Sequence, residues 1–551
     1  APIGTPETLG AATPQMLQLF HQRWYRPEQA VIVIAGDGDP ALFEELLKAH
    51  FSQWRGKGEA GTIPDFGQPR DIEDISRIVI EPTLPQFISM VIARPWEQVE
   101  DTIVYNQQIL IDLLALQMIN RRLEARARAG GSYLQASVGQ DDVSRSIDGT
   151  FISIIPLGDD WEAALADVRG VIADATSVAP SEAARKQADD IVNAVDIRET
   201  VATPQVALDV FRAMRDLYTP ERLLESTRKL FTGVSTRALL TSPDVIDDGK
   251  VKLAKALRRT VNASSDVRVS QSDLGFEALK KIGKKGSIKA ARKIGRFDIE
   301  QLELSNGVRV LLFPNTSERN KIMVNARFGT GFSGLSPHQE SLAWSGKLAL
   351  IASGVGNLGQ EELDKITTGR RIGLQFSIDN DAFEIGADTR PADLEDQLHL
   401  IAAKLDNPRW DAAPVIRSRA ASLISYDSFS ASPQSVMERD LEWLVHGKDS
   451  RWKTPDKEDF EKLDAKNFKQ FWKPILASGP VELMLFGDFD RDQAVESILK
   501  TFGALEKRKP VAVRPEAISP QFPAPQAGPE ILFHKGDQDR AAAMLAWPTG
   551  G

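Results

Sequence analysis

The sequence predicts an α+β protein with an internal repeat, on three observations. Helical patterns alternate with short strand patterns along the 551 residues, as they do in mixed α+β domains. One strand–turn–helix pattern recurs at long range. Apolar residues form 42% and charged residues 26% of the chain, which is typical of a folded globular protein. At roughly 150 residues per domain, this length predicts about three or four units.

The repeat matches residues 14–54 with residues 465–505 at a shift of 451 and without a gap. Each copy predicts a helix, a strand, a Gly-Asp turn and a second, amphipathic helix. In the turn, glycine tolerates unusual backbone angles and aspartate caps the helix that follows. The shift aligns Phe20 with Phe471, Phe51 with Phe502, and the predicted strand 31–35 with residues 482–486.

A second match occurs at almost the same shift. Residues 78–80 align with 531–533, and residues 91–93 align with 544–546. Both pairs have the apolar character of short strands. Two matches at one spacing indicate a duplicated module of sheet and helix.

The charge distribution argues against a nucleic-acid partner. The net charge is −10 and the isoelectric point is near 5.4, whereas binding to phosphates needs clustered cationic side chains. Lysine and arginine greatly outnumber acidic residues in residues 250–296, where glycine and serine also recur. We interpret this stretch as a basic linker.

The chain contains no cysteine, which excludes disulfides, thiolate nucleophiles and zinc sites with cysteine ligands. The longest apolar runs, at residues 31–35 and 348–352, are far shorter than the ~20 residues that span a bilayer. We therefore expect no membrane anchor. Absence of cysteine fits both periplasm and cytosol, and we expect the periplasm.

Several stretches have the order and spacing of a known family. The last of them, residues 304–310, contains Asn306-Gly307, which predicts a tight hairpin turn. The stretches are residues 2–5, 20–27 (FHQRWYRP) and 31–39, then residues 120–124 (NRRLE) and 150–156, and finally residues 304–310 (LSNGVRV). With them, the chain resembles the pitrilysin-type (insulinase-like) zinc metallopeptidases.

The resemblance implies repeated antiparallel sheets backed by helices, as in the metallohydrolase fold of pitrilysin and the processing peptidases. Family members have four such units, joined as two halves that enclose a peptide. The chain then corresponds to a piece from the second half of unit one to the start of unit four. The implied division is residues 1–70, second half of repeat 1; 71–249, repeat 2; 250–296, linker; 297–510, a degenerate repeat 3; and 511–551, the start of repeat 4.

Zinc catalysis in this family needs the motif His-x-x-Glu-His on a helix, where two imidazoles one turn apart bind the metal and the glutamate activates water. The six histidines are so scattered that no two fall within one turn. In the family the motif lies in the first half of unit one. The corresponding place in the third unit, about residues 345–349, offers no ligand. We therefore expect no catalytic or metal-binding residue in this chain.

Two carboxylate–histidine pairs have helical spacing, Glu395 with His399 and Glu442 with His446. Zinc demands three or four ligands, and no third ligand is nearby in the sequence. We interpret both as surface pairs. Residues that contact a peptide stay unassigned, because the family's arginine and tyrosine contacts belong to the fourth unit.

Residues 354–359 provide the best competing signal. Gly354, Gly356 and Gly359 match the dinucleotide fingerprint, and Asp379 follows about 20 residues later. The fingerprint normally follows a strand, however, and residues 342–353 are rich in leucine and alanine, which predicts a helix. Nucleotide binding through these glycines is a minor alternative.

The main hypothesis is that the parent protein is a zinc-dependent metalloendopeptidase acting on peptides or unfolded segments in a chamber. Zinc is expected in the full-length parent and not on this chain, which should be inactive alone. The alternative is a non-catalytic scaffold or partner subunit of the same family. Expected partners are a peptide substrate, the missing N-terminal and C-terminal portions of the parent and, as a further possibility, a second copy in a dimer.

Overall fold

The computed structural model has the mixed α+β architecture that the sequence predicts. It describes residues 4–34, 38–62, 67, 74–100, 102–179, 215–265, 274–295, 298–508, 522–524 and 528–547. The chain divides into two units, Ala1–Gln68 and Pro69–Gly551. None of the helices in the described ranges has the length and apolar character needed to cross a membrane.

The described residues of the first unit form helices α1 (Pro6–Gly10), α2 (Pro14–Trp24) and α3 (Pro40–Phe51). Each helix begins at a proline, whose fixed φ suits the first turn. At the three N-caps, the side chains of Thr5, Thr13 and Asp39 accept a hydrogen bond from a backbone N–H of that turn. None of these helices has a buried residue.

The strand predicted at residues 31–35 is not formed in the described part of the unit. Residues 30–34 form no strand and are exposed, and Ala35, Gly36 and Asp37 lie outside the described residues. A strand must share its backbone hydrogen bonds with a neighbouring strand. The described residues of the first unit contain no other strand, so the apolar pattern alone gave the wrong prediction.

Sheet A is the first of two sheets in the second unit, and its strand order is β1-β5-β2-β4-β3. Only β1 and β5 are parallel; the other neighbours are antiparallel. Its buried face packs against the helices through side chains such as Ile154, Leu240, Leu123 and Leu165. The elements are β1 (Ile75–Ile80), β2 (Phe87–Pro95), α4 (Ile103–Arg128), β3 (Tyr133–Val143), β4 (Ile147–Pro156), α5 (Trp161–Ser177), α6 (Pro220–Leu230), β5 (Ser235–Ser242) and α7 (Gly249–Arg258).

Sheet B has seven strands in the order β10-β11-β9-β12-β8-β7-β6. Its core joins Leu312, Ile385 and Leu483 from the strands to Leu398 and Trp472 from the helices. The elements are β6 (Ile288–Ile294), β7 (Ile299–Leu304), β8 (Arg309–Pro314), β9 (Ile322–Phe328), α8 (Glu340–Ser345), α9 (Gln360–Thr367), β10 (Gln375–Ile378), β11 (Phe383–Thr389), α10 (Leu394–Asp406), α11 (Ala412–Tyr426), α12 (Pro433–Val445), α13 (Lys457–Glu461), α14 (Ala465–Ala477), β12 (Val481–Gly487) and α15 (Arg491–Lys500).

The two sheets share one topology. Replacing β1, β5, β2, β4 and β3 by β8, β12, β9, β11 and β10 converts the order of sheet A into that of five adjacent strands of sheet B, which has β7 and β6 in addition. The single parallel pair is also equivalent, since β12 is parallel to β8 and antiparallel to β9. In both sheets a helix precedes and another follows the last strand.

The hairpin predicted at Asn306-Gly307 connects β7 to β8. Gly307 has a φ of +91°, a conformation that glycine adopts without strain. The backbone N–H of Leu304 donates to the Val308 carbonyl at 2.9 Å and closes the turn. The prediction is confirmed.

Residues 250–296, interpreted as a linker, contribute α7 and β6. Leu253 of α7 is fully buried in the core of sheet A. Strand β6 is exposed along almost its whole length and pairs with β7, where Lys289 Nζ lies 2.6 Å from the Glu303 carboxylate. The basic residues of β6 are therefore used in cross-strand pairs on the edge of sheet B, and the division into domains stays a prediction.

Residues 531–533 and 544–546 were predicted as strands that open another repeat. Residues 528–547 contain no strand and are exposed over most of their length. The prediction is wrong, because these segments pair with no strand of sheet A or sheet B in the described residues, and apolar character alone does not place a segment in a sheet.

Sheets A and B are joined by arginines within the second unit. Arg417 of α11 donates from Nη1 to the Ala127 carbonyl at 2.8 Å and from Nη2 to the Leu134 carbonyl. Arg128 of α4 forms an ion pair with Asp364 of α9. The last carbonyls of a helix lack intrahelical donors, so Arg417, from a helix beside sheet B, helps to cap the end of α4 beside sheet A.

Candidate functional site

By the family resemblance, the third unit would carry a zinc motif on the helix that follows β9. Helix α8 passes into a π-helical turn, Gly346–Leu350, and helical backbone continues to residue 352. The prediction of helix rather than strand before Gly354 is therefore confirmed. Ser345, Gly346 and Ala349 are buried in this turn, and their side chains carry no group that binds zinc.

Trp472 of α14 occupies the space beside this helix. A Cβ atom on Gly346 would lie 2.6 Å from the Trp472 ring, closer than any side chain tolerates, so glycine lets the two helices approach. Trp472 is fully buried and donates from Nε1 to the Leu342 carbonyl at 3.0 Å. Its ring also makes edge contacts with Phe376 and Phe383. The position holds a packed aromatic core.

The charge at this position also opposes a metal ion. Lys347 is the one ionisable residue among residues 345–349, and its Nζ lies 4.5 Å over the Trp344 ring. An ammonium group repels a divalent cation. In the described part of the chain there is no group of three or more histidine or acidic side chains placed to hold a metal. The residues present at this site do not fit zinc, which needs three or four ligands.

The carboxylate–histidine pairs are used in packing. Glu395 accepts hydrogen bonds from Ser497 Oγ at 3.1 Å and Lys500 Nζ at 3.0 Å. His399 is instead 2.9 Å from the Lys280 carbonyl through Nε2, with its ring at the edge of Phe276.

The second pair does form. His446 Nδ1 lies 2.6 Å from the Glu442 backbone carbonyl and 3.5 Å from the Glu442 carboxylate. The imidazole also stacks on Trp452 with ring centroids 4.4 Å apart. The Glu442 side chain is exposed, but the His446 side chain is only 13% exposed, so the interpretation as a surface pair holds for the glutamate and not for the histidine.

The glycine-rich loop 354–359 is closed on itself and does not offer a phosphate cradle. Val355 and Leu358 exchange two backbone hydrogen bonds, at 2.8 and 2.9 Å, and Gly356 donates to the Asn407 carbonyl at 2.9 Å. Two carboxylates also accept from this loop: Asp411 from the Gly354 N–H and Glu362 from the Gly359 N–H. These acceptors use the N–H groups that a pyrophosphate would need, and their charge repels an anion.

The loop also lacks the strand that a dinucleotide site requires, because a helix precedes it. A Cβ on Gly354 would lie 2.1 Å from the Leu358 carbonyl oxygen. Gly354 is therefore needed for the internal turn. The minor alternative of nucleotide binding through Gly354, Gly356 and Gly359 is wrong for these physical reasons.

The sequence analysis did not identify Lys404 of α10, which caps the C-terminal end of the helix that precedes Gly354. Its fully buried Nζ donates to the carbonyls of Ile351 at 2.9 Å and Leu350 at 3.2 Å, and also to Ser353. Burial lowers the pKa of Lys404 to about 7, opposed by the charges of Asp411 and Asp364. A signal was present: Lys404 follows Leu400 and Ile401 at helical spacing, on the apolar face of α10.

Comparison with known proteins adds an independent observation. Residues 11–126 and 462–551 both match the family model described as the Peptidase M16 inactive domain. The two matches begin 451 residues apart, the shift at which the sequence aligns with itself. One family model therefore covers both copies.

Two curated relatives are a probable zinc protease and a processing peptidase. The chain is 21% identical over 404 residues to the probable zinc protease PqqL of Escherichia coli K12, covering 66% of the chain and 42% of the relative. It is 22% identical over 256 residues to the chloroplastic stromal processing peptidase of Arabidopsis thaliana, covering 46% and 20%. The chain thus spans less than half the length of these curated relatives.

Among solved structures, the ferredoxin protease FusC, determined in complex with Arabidopsis ferredoxin, superposes with a TM-score of 0.56. The identity is 18%, and the match covers 93% of this chain and 60% of FusC. The fold is that of an α+β protein with two sheets of related topology. The helix at the position of the family's zinc motif, residues 345–349, has no side chain that could bind a metal. These matches support a relationship of the chain to the pitrilysin/insulinase-like peptidases.

Proposed function

We propose that this chain is a non-catalytic part of a zinc-dependent metalloendopeptidase that cleaves peptides or unfolded segments in a chamber. In this proposal residues 71–249 and 297–510 are the second and third units of a four-unit parent, residues 1–70 and 511–551 belong to the first and fourth, and residues 250–296 connect the halves. Zinc is bound by a part of the parent that carries His-x-x-Glu-His. The substrate is a peptide, and neither nucleic acid nor a membrane is a partner.

One observation carries the proposal. The helix after β9 retains the place of the family's motif helix, but residues 345–349 are Ser-Gly-Lys-Leu-Ala and pack against Trp472. A helix filled with small and apolar residues supports a role as a wall rather than as a metal site. The match to a model named for an inactive domain supports the same role.

The test compares this chain alone with the chain combined with a polypeptide that carries His-x-x-Glu-His. We expect no hydrolysis of an unstructured fluorogenic peptide by the chain alone, with or without added zinc. The combination should cleave the peptide and lose that activity in a chelator. Chelator-sensitive cleavage by the purified chain alone would contradict the proposal.

The second candidate is a scaffold or partner subunit of the same family, favoured by the absence of ligands among the described residues. The two candidates differ in one feature: whether the parent polypeptide itself contains His-x-x-Glu-His. A scaffold requires the motif on a separate subunit, and a dimer with such a subunit would then form. Mass measurement of the native assembly distinguishes them.

We also propose a periplasmic location. The relative PqqL is described as a periplasmic protease, and a chain without cysteine is compatible with an oxidising compartment. Fractionation of cells that produce the native protein tests this, and recovery in the cytosol alone would refute it.

A further inference from the structure

Strand β6 forms one edge of sheet B and lies in a run of basic side chains. In the part of the chain that the structure describes, sheet B ends at β6, so one side of this strand pairs with no other strand. Residues 287–293 are exposed, and Ile294 is partly buried. An edge strand presents a row of unpaired backbone N–H and C=O groups, which is a template for another extended chain.

The register identifies the backbone groups that point away from the sheet. The N–H of Leu304 in β7 forms its hydrogen bond on the side of β8. Hydrogen bonds alternate between the two sides along an antiparallel strand, so Leu302 and Glu300 also bond towards β8. Their partners in β6 are Ala291 and Lys293. The N–H and C=O groups of these two residues are therefore directed to the free edge.

The free edge is regular over five residues. The register of β6 against β7 shifts once, between Ile288 and Ala290, and is continuous from Ala290 to Ile294. A bulge bends a strand and disrupts its ladder locally, so this one separates the regular part from the start of β6. The small side chains of Ala290 and Ala291 leave room for a neighbouring strand.

The same segment has a surplus of positive charge. Residues 280–293 contain no acidic residue and seven basic ones: Lys280, Lys281, Lys284, Lys285, Lys289, Arg292 and Lys293. Three of the lysines have a carboxylate partner, and their side chains are 51%, 64% and 79% exposed: Lys285, Lys289 and Lys293. Exposed ion pairs are weak, so these lysines remain available to another carboxylate. Arg292 donates to the neutral Gln301.

The charge of this edge selects its neighbour. A second copy of β6 is disfavoured, because basic side chains would lie opposite each other and like charges repel across a strand pair. Aspartate or glutamate in an added strand would instead form pairs of opposite charge. The whole chain has a net charge of −10, which opposes non-specific attachment of anions and confines the attraction to the basic segment.

We propose that β6 is a docking edge for an extended acidic segment of a separate polypeptide. The segment adds to the seven strands of sheet B and pairs with the backbone of Ala291 and Lys293. Its carboxylates lie beside the side chains of Lys289, Arg292 and Lys293. Nucleic acids and anionic lipids share the charge but lack the backbone groups that strand addition needs. The inference goes beyond the proposed function, because it requires neither zinc nor peptide cleavage.

Fluorescence anisotropy of a labelled peptide tests the backbone pairing. The probe is a short peptide of alternating glutamate and valine, and we expect saturable binding to the full chain. A peptide of alternating glutamate and proline has the same charge but is a poor strand, so it should bind at least about tenfold more weakly. Equal binding of the two peptides, or no saturable binding of the first, overturns the inference.

Ala291→Pro tests the same edge from the side of the protein. Proline removes an N–H that points away from β7, which an edge strand tolerates. The variant should remain folded by circular dichroism and bind the glutamate–valine peptide at least about tenfold more weakly. Unchanged binding overturns the inference. If the variant does not fold, the charge reversal described next decides the matter, because it leaves the backbone intact.

Arg292→Glu with Lys293→Glu tests the charge. This reversed edge should bind the glutamate–valine peptide at least about tenfold more weakly, and a lysine–valine peptide more tightly, than the natural chain does. The matched control is Lys466→Glu with Lys469→Glu, the same change of charge at exposed positions of α14, which should leave both affinities unchanged. Equal effects of the two double substitutions overturn the inference.

Competition and sedimentation identify the occupant. A single-stranded oligonucleotide, or vesicles that contain an anionic phospholipid, should not displace the peptide at the same concentration of negative charge. Displacement by either overturns the assignment to a polypeptide. A dimer of the natural chain that dissociates with Arg292→Glu and Lys293→Glu overturns it too, since a second copy is then the occupant. No readout here uses peptide cleavage, so these results are separate from the test of the proposed function.

Discussion

Sheets A and B share the order of five strands and differ most in the connections that follow the equivalent strands β2 and β9. In sheet A, β2 leads into α4, a continuous helix of 26 residues. In sheet B, β9 leads into α8, which has six residues, then a π-helical turn, the closed loop 354–359 and α9. The sheet is thus retained while this connection varies, as expected where connections carry the differences in function.

The glycine content of the two connections explains much of the difference between the long helix α4 and the short helices of sheet B. Helix α4 contains no glycine, and glycine in a helix interior is destabilising by roughly 0.5–1 kcal/mol relative to alanine. The connection in sheet B has Gly346 under Trp472, followed by Gly354, Gly356 and Gly359 in the loop. Close packing and a tight turn have replaced a long helix there.

The largest effect is expected from the packing unique to sheet B. Trp472→Ala removes a fully buried ring over Gly346 and should lower the free energy of unfolding by about 3–5 kcal/mol. Urea unfolding followed by circular dichroism measures it. Trp443→Ala is the control, because Trp443 is only half-buried; equal losses would contradict the role of Trp472.

The shared topology predicts similar costs at equivalent strands. Leu240 of β5 and Leu483 of β12 are both fully buried, so Leu240→Ala and Leu483→Ala should each cost about 2–5 kcal/mol. The change in urea midpoint gives each value. If one substitution costs less than about 1 kcal/mol, the two sheets are not equivalent in packing.

The second copy of the repeat could be predicted closely, and the first could not. The sequence places a strand at 482–486, and β12 extends from Val481 to Gly487. The same pattern at residues 31–35 produces no strand in the described part. Alternating apolar residues predict that a segment can enter a sheet, but its neighbours decide whether it does.

The repeat between sheets A and B was implied only by family resemblance. Strand β2 begins 235 residues before β9, whereas β3 begins 242 residues before β10. Unequal spacing defeats a gap-free comparison. The absence of ligands at residues 345–349 could be predicted from the sequence, but the π-helical turn and the Trp472 contact depend on tertiary packing.

The junction provides a smaller effect that tests whether the two sheets unfold together. Arg417→Met removes donors to the Ala127 and Leu134 carbonyls and should cost about 2 kcal/mol, since these bonds involve a charged group. Faster amide exchange at the end of α4 and in β3 should accompany the loss. Arg419→Met is the control, since Arg419 donates a single 3.4 Å bond to Leu463 within the domain of sheet B.

The buried Lys404 should make the free energy of unfolding depend on pH. Its pKa is lowered to about 7 in the folded state, against about 10.4 in an unfolded chain. Between these values the unfolded state binds more protons, so the free energy of unfolding gains a positive contribution with rising pH, at most about 1.4 kcal/mol per pH unit. Below pH 7 that gain is absent.

Lys404→Met removes this contribution. Urea midpoints at pH 7, 8 and 9 should show the difference between the natural chain and the variant growing with pH. Lys469→Met is the control, since Lys469 is exposed, and its pH curve should run parallel to that of the natural chain. A parallel curve for Lys404→Met would mean that the ammonium group is not perturbed.

The smallest effect concerns β7, a strand with no equivalent in sheet A. Arg491 of α15 donates from Nε and Nη2 to both carboxylate oxygens of Glu300, each at 2.7 Å. The Arg491 side chain is 44% exposed, so water screens the pair and Arg491→Gln should cost no more than about 1 kcal/mol. A double-mutant cycle with Glu300→Gln isolates the interaction from the separate bond between Arg491 and Asp492. A coupling energy above about 2 kcal/mol would show that this pair anchors β7, whereas a small value means that β7 is held by its backbone hydrogen bonds to β6 and β8.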